Sequence, residues 1–448
     1  MNWKRIRDKA VSRLYPEAEE VEELHNTYSE ISAYIESEFG YQTFFAGSAG
    51  RGTSVKGDRD IDVFVKFPED TSREKLEKEG LGIGKETFDN FEGSYHVEYA
   101  EHPYTKGKIN DFEVEIVPCI DTSPGDINTA VDRSPHHAKW VEKHLDDKQK
   151  QDVVLLKSFL KSAGLYGSSL KVRGFSGYLC ELLIEEYGSL KELTENSCDW
   201  GEQKIIDPEN HHGDELPKVL EQKFSNDSLI VIDPVDPERN VASVLNSENY
   251  AKFIHRCWKF EENPGLNFFE KEEKQLDKFA LEQEIEKRSD FLILEFEVID
   301  EPDDIVYPQM RKVMRRLSSE LIKNDFRVFE KGFHVGQKIR IFFELESQLP
   351  KIEYQKGPKV YHGAKHLDEF TSKYENTFVQ EERLVAKIDR EFTTAKSLIQ
   401  EFFSPDVSGL KQQGIPGNVA QKIVDFRMTE PMIEDEEWLK FLAEKLNL

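Results

Sequence analysis

Asp60 and Asp62 stand two residues apart in the run DIDVFVKF, behind a Gly-Ser loop that carries Ser48. Read as a strand, the run puts both carboxylates on one face and Ile61 and Val63 on the other. Neighbouring carboxylates repel and raise each other's pKa, so the arrangement makes sense when a divalent cation lies between them. The loop at Gly47-Ser48 adds backbone N–H groups and a hydroxyl, which suit phosphate oxygens. Phosphate on one side and metal on the other point to nucleotidyl or phosphoryl transfer.

A later run, DFEVEIVPC from Asp111 to Cys119, alternates Phe112, Val114 and Ile116 with Glu113, Glu115 and Val117. Its polar face therefore carries two more acids. A Gly-Ser loop, D-x-D on a strand and a third acid on a later strand resemble the pattern of the nucleotidyltransferase superfamily to which DNA polymerase β belongs. Three carboxylates are what a two-metal site needs, one ion activating the attacking hydroxyl and the other holding the triphosphate. Any one acid alone is also explained by a solvated strand face.

The surrounding elements follow from periodicity. Apolar residues at helical spacing predict helices over 3–14 and 17–38, with Pro16 suited to a start and Gly40 to a stop. Thr71 to Phe91 reads as a helix capped by Ser72. Strands are expected at 41–45, at 94–100 and at 111–119, the last two separated by the turn-prone TKGKIN. Leu155, Leu156, Phe159 and Leu160 form a helical apolar face with Lys157 beside it. A glycine-punctuated run, 164–177, leads to a helix over 175–187, and another helix spans 189–198. Short strands near Ile205 and at 229–232 precede the turn-forming DPVDP, where Asp233, Asp236 and Arg239 could form a polar cluster that reads a base edge. A helix over 247–260 and a Glu/Lys-rich junction over 261–287 follow. Beyond lie strands at 290–299, 326–332 and 338–346, and helices at 363–374, 393–403, 416–427 and 435–446. Helix 307–324 bears Arg311, Lys312, Arg315 and Arg316, the best nucleic-acid-backbone patch in an acidic chain.

Composition sets the outer bounds. A chain of 448 residues exceeds one ordinary core and implies about three or four domains. The formal charge of −27 excludes a surface uniformly attractive to nucleic acid, while leaving room for a local basic groove. Cys119, Cys180, Cys198 and Cys257 form no CxxC pair, so neither a zinc knuckle nor a disulfide framework follows. With no long apolar run and no signal-peptide core in MNWKRIRDKA, the expectation is a soluble, cytoplasmic protein.

Several strings together carry a closer resemblance. GSAGRGT, DIDVF, YAEHPY, EIVPC, AVDRSPHH, LLKSFLKSAGLYG, KVRGFSGYLCELL and DPVDPERNVA, in that order over about 41–245, resemble the archaeal CCA-adding enzymes, the class I tRNA nucleotidyltransferases. The likeness is looser beyond, at YPQMRK and FTTAKS. It implies an α+β multidomain fold: an N-terminal mixed β-sheet nucleotidyltransferase domain with helices, a mostly helical middle domain, an α+β body and a helical tail. The corresponding boundaries are 1–145 for the catalytic head, 146–265 for a nucleotide-selecting neck, 266–390 for a tRNA-binding body and 391–448 for the tail.

The resemblance also implies roles. Ser48 and Arg51 match triphosphate-binding positions, and Asp60, Asp62 and Glu115 match metal-binding and catalytic acids. His137, Lys157 and Tyr166 match positions that hold the incoming ATP or CTP, and Arg239 resembles an arginine implicated in telling C from A. The implied cofactor is Mg²⁺, the partners are tRNA, CTP and ATP, and the assembly is a homodimer. Two departures stand out. Glu115 replaces the usual Asp, with Glu113 on the same face as an alternative ligand. HHAKW replaces the family's HHKW, so that Ala138 takes a place often held by His, His137 keeps its spacing to Lys139-Trp140, and His136 is expected at the surface. The implied function is template-free addition or repair of the 3′-terminal CCA of tRNA, with pyrophosphate release. A poly(A) polymerase-like enzyme and a catalytically inactive tRNA-binding protein are the alternatives.

Overall fold

The computed structural model describes residues 3–99, 101–122, 131–270 and 275–448. The expected strand end at Ala100, the opening Ala130 of AVDRSPHH and the centre of the 261–287 junction lie outside the described residues. The chain forms two compact units, Met1–Glu273 and Lys274–Leu448.

The first unit opens with helices α1 (Trp3–Leu14) and α2 (Ala18–Phe39). Gly40, at φ 75°, ends α2 by returning its N–H to Glu36 O. Next come β1 (Thr43–Phe45), a four-residue helical turn α3 (Gly47–Gly50), β2 (Asp60–Phe67) and α4 (Arg73–Asn90). The expected Gly-Ser loop is thus one helical turn. Ser72 caps α4 by accepting from Lys75 N–H, which contributes about 1 kcal/mol. Strands β3 (Ser94–Tyr99), β4 (Pro103–Ile109) and β5 (Phe112–Ile120) complete a five-stranded sheet of order β1-β2-β5-β4-β3. Only β2 and β5 run parallel, which requires the long crossover through α4.

One expectation fails here. TKGKI is not a turn but most of β4, paired on both sides, and the chain reverses at Asn110 instead, at φ 52°. Thr105, Gly107 and Ile109 alternate inward as buried residues, and two-sided pairing overrides the turn propensity of Lys-Gly-Lys. Ile31 and Ile35 of α2 and Ile83 and Phe88 of α4 cover the sheet face that carries Ile61, Val63, Val114 and Ile116. That burial leaves the acid-bearing face to the site.

The remainder of this unit is mostly helical: α5 (Arg133–His144), α6 (Asp147–Lys161), α7 (Gly177–Tyr187), α8 (Leu190–Ser197), β6 (Lys204–Ile206), α9 (Leu216–Lys223), β7 (Leu229–Asp233), β8 (Asp236–Asn240) and α10 (Ser247–Glu262). Asp146 and Gln149 close a capping box on α6, and Ser176 caps α7. Leu155, Phe159, Leu182, Leu183, Phe253 and Phe260 share one core with Ile6 of α1. The expected turn run after Asp233 is a hairpin, since Asp236–Asn240 returns as β8 against β7.

In the second unit α11 (Lys278–Glu286) falls within the expected junction. It precedes β9 (Asp290–Phe296), α12 (Asp303–Lys323), β10 (Val328–Val335) and β11 (Ile339–Leu345). Strand β12 (Ile352–Lys359), α13 (Ala364–Lys373), β13 (Thr377–Gln380) and β14 (Arg383–Asp389) form a small sheet with a helix, and those strands were not expected. Helices α14 (Ala395–Phe402), α15 (Val407–Gln412) and α16 (Gly417–Ile423) come next, before β15 (Arg427–Thr429) and α17 (Glu436–Lys445). The larger sheet runs β10-β11-β9-β15, so the C-terminal segment supplies an edge strand. One face packs Leu294, Ile341 and Phe343 on α12, α14 and α16, and the other packs Ile293 and Phe342 on Trp438 and Leu442 of α17. Among the described residues no helix is long and apolar enough to cross a membrane. All four cysteines are free thiols, and Cys119, Cys180 and Cys257 are buried.

Candidate active site

The parallel register of β2 and β5 builds the acid cluster. Asp60 lies opposite Glu113 and Asp62 opposite Glu115, so four carboxylates occupy one stretch of one sheet face. Burial, then Glu115 and Asp60, push the Asp62 carboxyl up to about 6, against the opposing pull of Arg51 and Lys106. Asp60 is raised too, by burial first and then by Asp58, Glu115 and Glu113, with Lys106 opposing. Glu115, the register partner of Asp62, raises both aspartates, whereas Glu113 raises Asp60 and pairs with Lys108 at 3.2 Å. Lys106 Nζ donates to Glu115 Oε1 at 2.6 Å. Among the described residues no three acid or imidazole groups are drawn tightly enough together to grip an ion, and Lys106 supplies the positive charge that faces Glu115. The donor set still fits a hard divalent cation: carboxylate oxygens only, held on two rigid strands, with mutual repulsion that such a charge would relieve.

The turn before β2 is shaped to this cluster. Gly47 has φ +66°, and the Asp62 carboxylate fills the space where a side chain would start. Ser48 sits in α3, and its carbonyl accepts from Thr53 N–H at 2.9 Å, which folds the 48–53 loop back on itself. Arg51 follows directly, only 12% exposed at its side chain, and donates from Nε to Glu181 Oε1 at 2.9 Å.

Glu181 is a neighbour of Arg51 that sequence reasoning did not single out. It lies on α7 and is fully buried. Its Oε1 also accepts from Thr53 Oγ1 at 2.6 Å, while Oε2 finds no hydrogen-bond partner among the described residues. Lys157 of α6, equally buried, donates from Nζ to Thr53 O at 2.8 Å and to Thr53 Oγ1 at 3.3 Å. Burial and the charge of Arg51 pull the Lys157 pKa down, against Glu181. The signal was available: Glu181 stands within LCELLI, whose flanking residues are all buried, so its charge has no solvent face. Tyr166 reaches the same corner. A Cβ on Gly177 would lie 3.2 Å from Tyr166 Oη and 3.6 Å from Lys157 Nζ. Burial raises the Tyr166 phenol, and Lys161 Nζ stands 5.3 Å from its ring centroid.

His137 and Arg239 meet on one carboxylate. Asp233, at the end of β7 and fully buried, takes His137 Nε2 at 2.9 Å and Arg239 Nη1 at 2.7 Å. Burial alone would raise Asp233, but hydrogen bonds from His137, the Val235 N–H and Arg239 hold it below the usual carboxylate range. Burial lowers the His137 pKa, against the opposing pull of Asp233. The imidazole also stacks on Tyr178, with centroids 3.9 Å apart. Asp236 instead binds Arg133 at 2.9 Å, so the expected Asp233–Asp236–Arg239 cluster divides in two. The charge of Arg51 is felt at Asp62, His137, Lys157, Tyr166 and Tyr178, which places this guanidinium amid both halves of the site.

His136 corrects an expectation. It is buried rather than at the surface, with Nε2 3.3 Å from Thr122 Oγ1, because α5 turns its Pro135, His136 and Ala138 side inward. In the second unit, Lys312 and Arg315 of α12 are exposed, whereas Arg316 is occupied by Glu320, by Gln413 O and by the Phe402 ring.

Comparison with known proteins matches three families along the chain. A nucleotidyltransferase domain matches residues 28–137, the second domain of tRNA nucleotidyltransferase matches 151–270, and the C-terminal domain of CCA-adding enzyme matches 288–423. The CCA-adding enzyme of Methanocaldococcus jannaschii is 35% identical over 418 residues, covering 90% of this chain and 92% of that protein. That of Archaeoglobus fulgidus is 35% identical over 411 residues, covering 90% of each. That of Thermococcus gammatolerans is 34% identical over 463 aligned positions, covering all of both.

Proposed function

Since the chain belongs to the CCA-adding enzyme family, we propose that the face shared by β2 and β5 is where this nucleotidyltransferase joins CTP and ATP to the 3′ end of tRNA. CCA addition to tRNA is the activity of the family, and nucleotidyltransferases of this kind use a divalent metal. The observation that carries the residue assignment is the register of Asp62 against Glu115, with Asp60 on the same face.

In this reading Asp60, Asp62 and Glu115 hold Mg²⁺, which when bound stabilises charge on phosphoryl oxygens and acidifies the tRNA 3′-hydroxyl. The protein's own groups do the rest. Arg51 spends Nε on Glu181, and its two Nη groups have no hydrogen-bond partner among the described residues, so its fork is available to a triphosphate. Lys157 adds a fixed charge at the same end, and Ser48 offers its hydroxyl. The departing pyrophosphate is received by Ser48, Arg51, Lys157 and Tyr166 after in-line attack at the α-phosphate. His137 holds the incoming nucleotide, and Arg239, which meets it on Asp233, distinguishes C from A. Lys312 and Arg315 on α12 offer contacts to the tRNA backbone. We assign residues 1–145 to catalysis, 146–265 to nucleotide selection, 266–390 to tRNA binding and 391–448 to a helical tail. We further propose a homodimer working in the cytoplasm.

The test is nucleotide addition to tRNA lacking CCA, with CTP, ATP and Mg²⁺. Wild-type protein is expected to add three residues and release pyrophosphate, whereas Asp62→Ala abolishes addition and retains tRNA binding. Activity retained in Asp62→Ala would overturn the metal assignment, and a homopolymeric tail would support a poly(A) polymerase-like enzyme instead.

A further inference from the structure

A buried anion beside a triphosphate site is at first sight misplaced. Glu181 is fully buried, yet it lies next to the two cations assigned to the triphosphate, where its charge opposes an incoming anion. Burying a carboxylate costs free energy, and an apolar side chain would pack α7 against α6 equally well. The hydrogen bonds indicate what the charge does. Oε1 receives Arg51 Nε at 2.9 Å and Thr53 Oγ1 at 2.6 Å, and Thr53 in turn accepts Lys157 Nζ at 2.8 Å on its carbonyl. One oxygen thus fixes the guanidinium plane directly and the ammonium through a single intermediate residue. Fixing Arg51 by Nε matters because a guanidinium held there has one remaining plane in which to present its two Nη groups.

We propose that Glu181 is a positioning residue for nucleotide binding: through one carboxylate oxygen it pre-sets Arg51 and, by way of Thr53, Lys157 in the geometry that the triphosphate of CTP or ATP requires. Without it Arg51, at the end of a flexible side chain, must be ordered by the nucleotide itself, at the expense of affinity. This inference rests on the reading of Arg51 and Lys157 as triphosphate contacts.

The experiment compares Glu181→Ala, Glu181→Gln, Glu181→Asp, Arg51→Ala and the Arg51→Ala/Glu181→Ala pair. KM and kcat for CTP are measured on tRNA lacking CCA, alongside melting temperature. Arg51→Ala is expected to raise the KM for CTP on the order of ten- to a hundredfold. Glu181→Ala should raise it similarly, with a smaller change in kcat. Glutamine keeps an acceptor oxygen at the same reach and should return KM to within about threefold of wild type. Aspartate keeps the charge but withdraws the acceptor, and should remain impaired even where the alanine variant fails to fold. In the double variant the effects should combine to less than their product. An unchanged KM in folded Glu181→Asp, or no rescue by glutamine, overturns the role of Glu181 while Arg51→Ala remains impaired. An unchanged KM in Arg51→Ala overturns instead the triphosphate reading beneath it.

Discussion

A Cβ atom placed on Gly47 would lie 1.6 Å from Oδ2 of Asp62, with the Asp62 Cγ at 2.7 Å. The turn that begins the loop before β2 and the acid at the centre of the cluster are therefore fitted to each other. The φ of +66° at Gly47 adds a second reason for glycine, since L side chains rarely adopt that conformation.

Gly47→Ala should for that reason damage catalysis more than folding. The new methyl must displace the Asp62 carboxylate, and a shift of about 1 Å in a reacting geometry costs on the order of a hundredfold in rate. Gly57→Ala is the control, because Gly57 has φ +83° but no atom within 4 Å of the added Cβ. Both should lose about 1–2 kcal/mol of stability to backbone strain, and only the first should lose CCA addition. Equal activities, measured alongside denaturation midpoints, would refute the fit between Gly47 and Asp62.

Asp62→Asn should stabilise the metal-free protein at neutral pH while removing its activity. The Asp62 carboxyl rises from an ordinary 3.8 to about 6, through burial first and Glu115 second. A raised acid contributes stability that is fully present below 3.8 and is lost as pH passes upward through about 6. At pH 7 the wild-type protein bears the whole cost, on the order of 1–3 kcal/mol. Thermal melts in a chelating buffer should place Asp62→Asn above wild type at pH 7 and level with it at pH 3.5, if both remain folded there. Added divalent cation should raise wild type and leave the variant nearly unmoved. A variant less stable than wild type at pH 7 would contradict the repulsion inferred among Asp60, Asp62 and Glu115.

The acids of this cluster were legible because strand alternation is local: DIDVF and FEVEI each declare their faces within five residues. The same holds for Ser72 and Gly40, whose capping roles depend on a few neighbouring residues. Lys106 was hidden because Lys-Gly-Lys reads as a turn until strands on both sides claim it. Glu181 shows in the sequence as a lone charge within LCELLI, but what it pairs with does not: its partners lie 128 and 130 residues away, a distance no periodicity spans. Strand β12 lacked the signal, since it runs from Ile352 through exposed Tyr354, Gln355 and Lys356 with no apolar alternation.

The ion cluster on β9 and β11 sets a test for the second unit. Arg340 and Glu295 face each other in register, with side chains 6% and 4% exposed, and Arg340 Nε donates to Glu295 Oε2 at 2.7 Å. Glu295 also takes Arg427 of β15, and Arg340 reaches Asp435, which caps α17 by accepting from Trp438 N–H. Burial alone would raise Glu295, but hydrogen bonds from Arg427 and Arg340 outweigh it and hold the carboxylate low. The cluster therefore ties the edge strand β15 and the start of α17 to the central strands. Arg340→Met leaves the buried Glu295 to Arg427 alone, whose side chain is 70% exposed, and should cost about 3–5 kcal/mol. Glu295→Leu together with Arg340→Met removes the stranded charge, and should cost less than Arg340→Met by itself. Amide hydrogen exchange of β9, β11 and α17 in urea reads this in the second unit, where Arg340 lies 5.6 Å from the ring of Trp438. A double variant no more stable than Arg340→Met would mean that packing on Trp438, rather than the buried charge, is what Arg340 contributes.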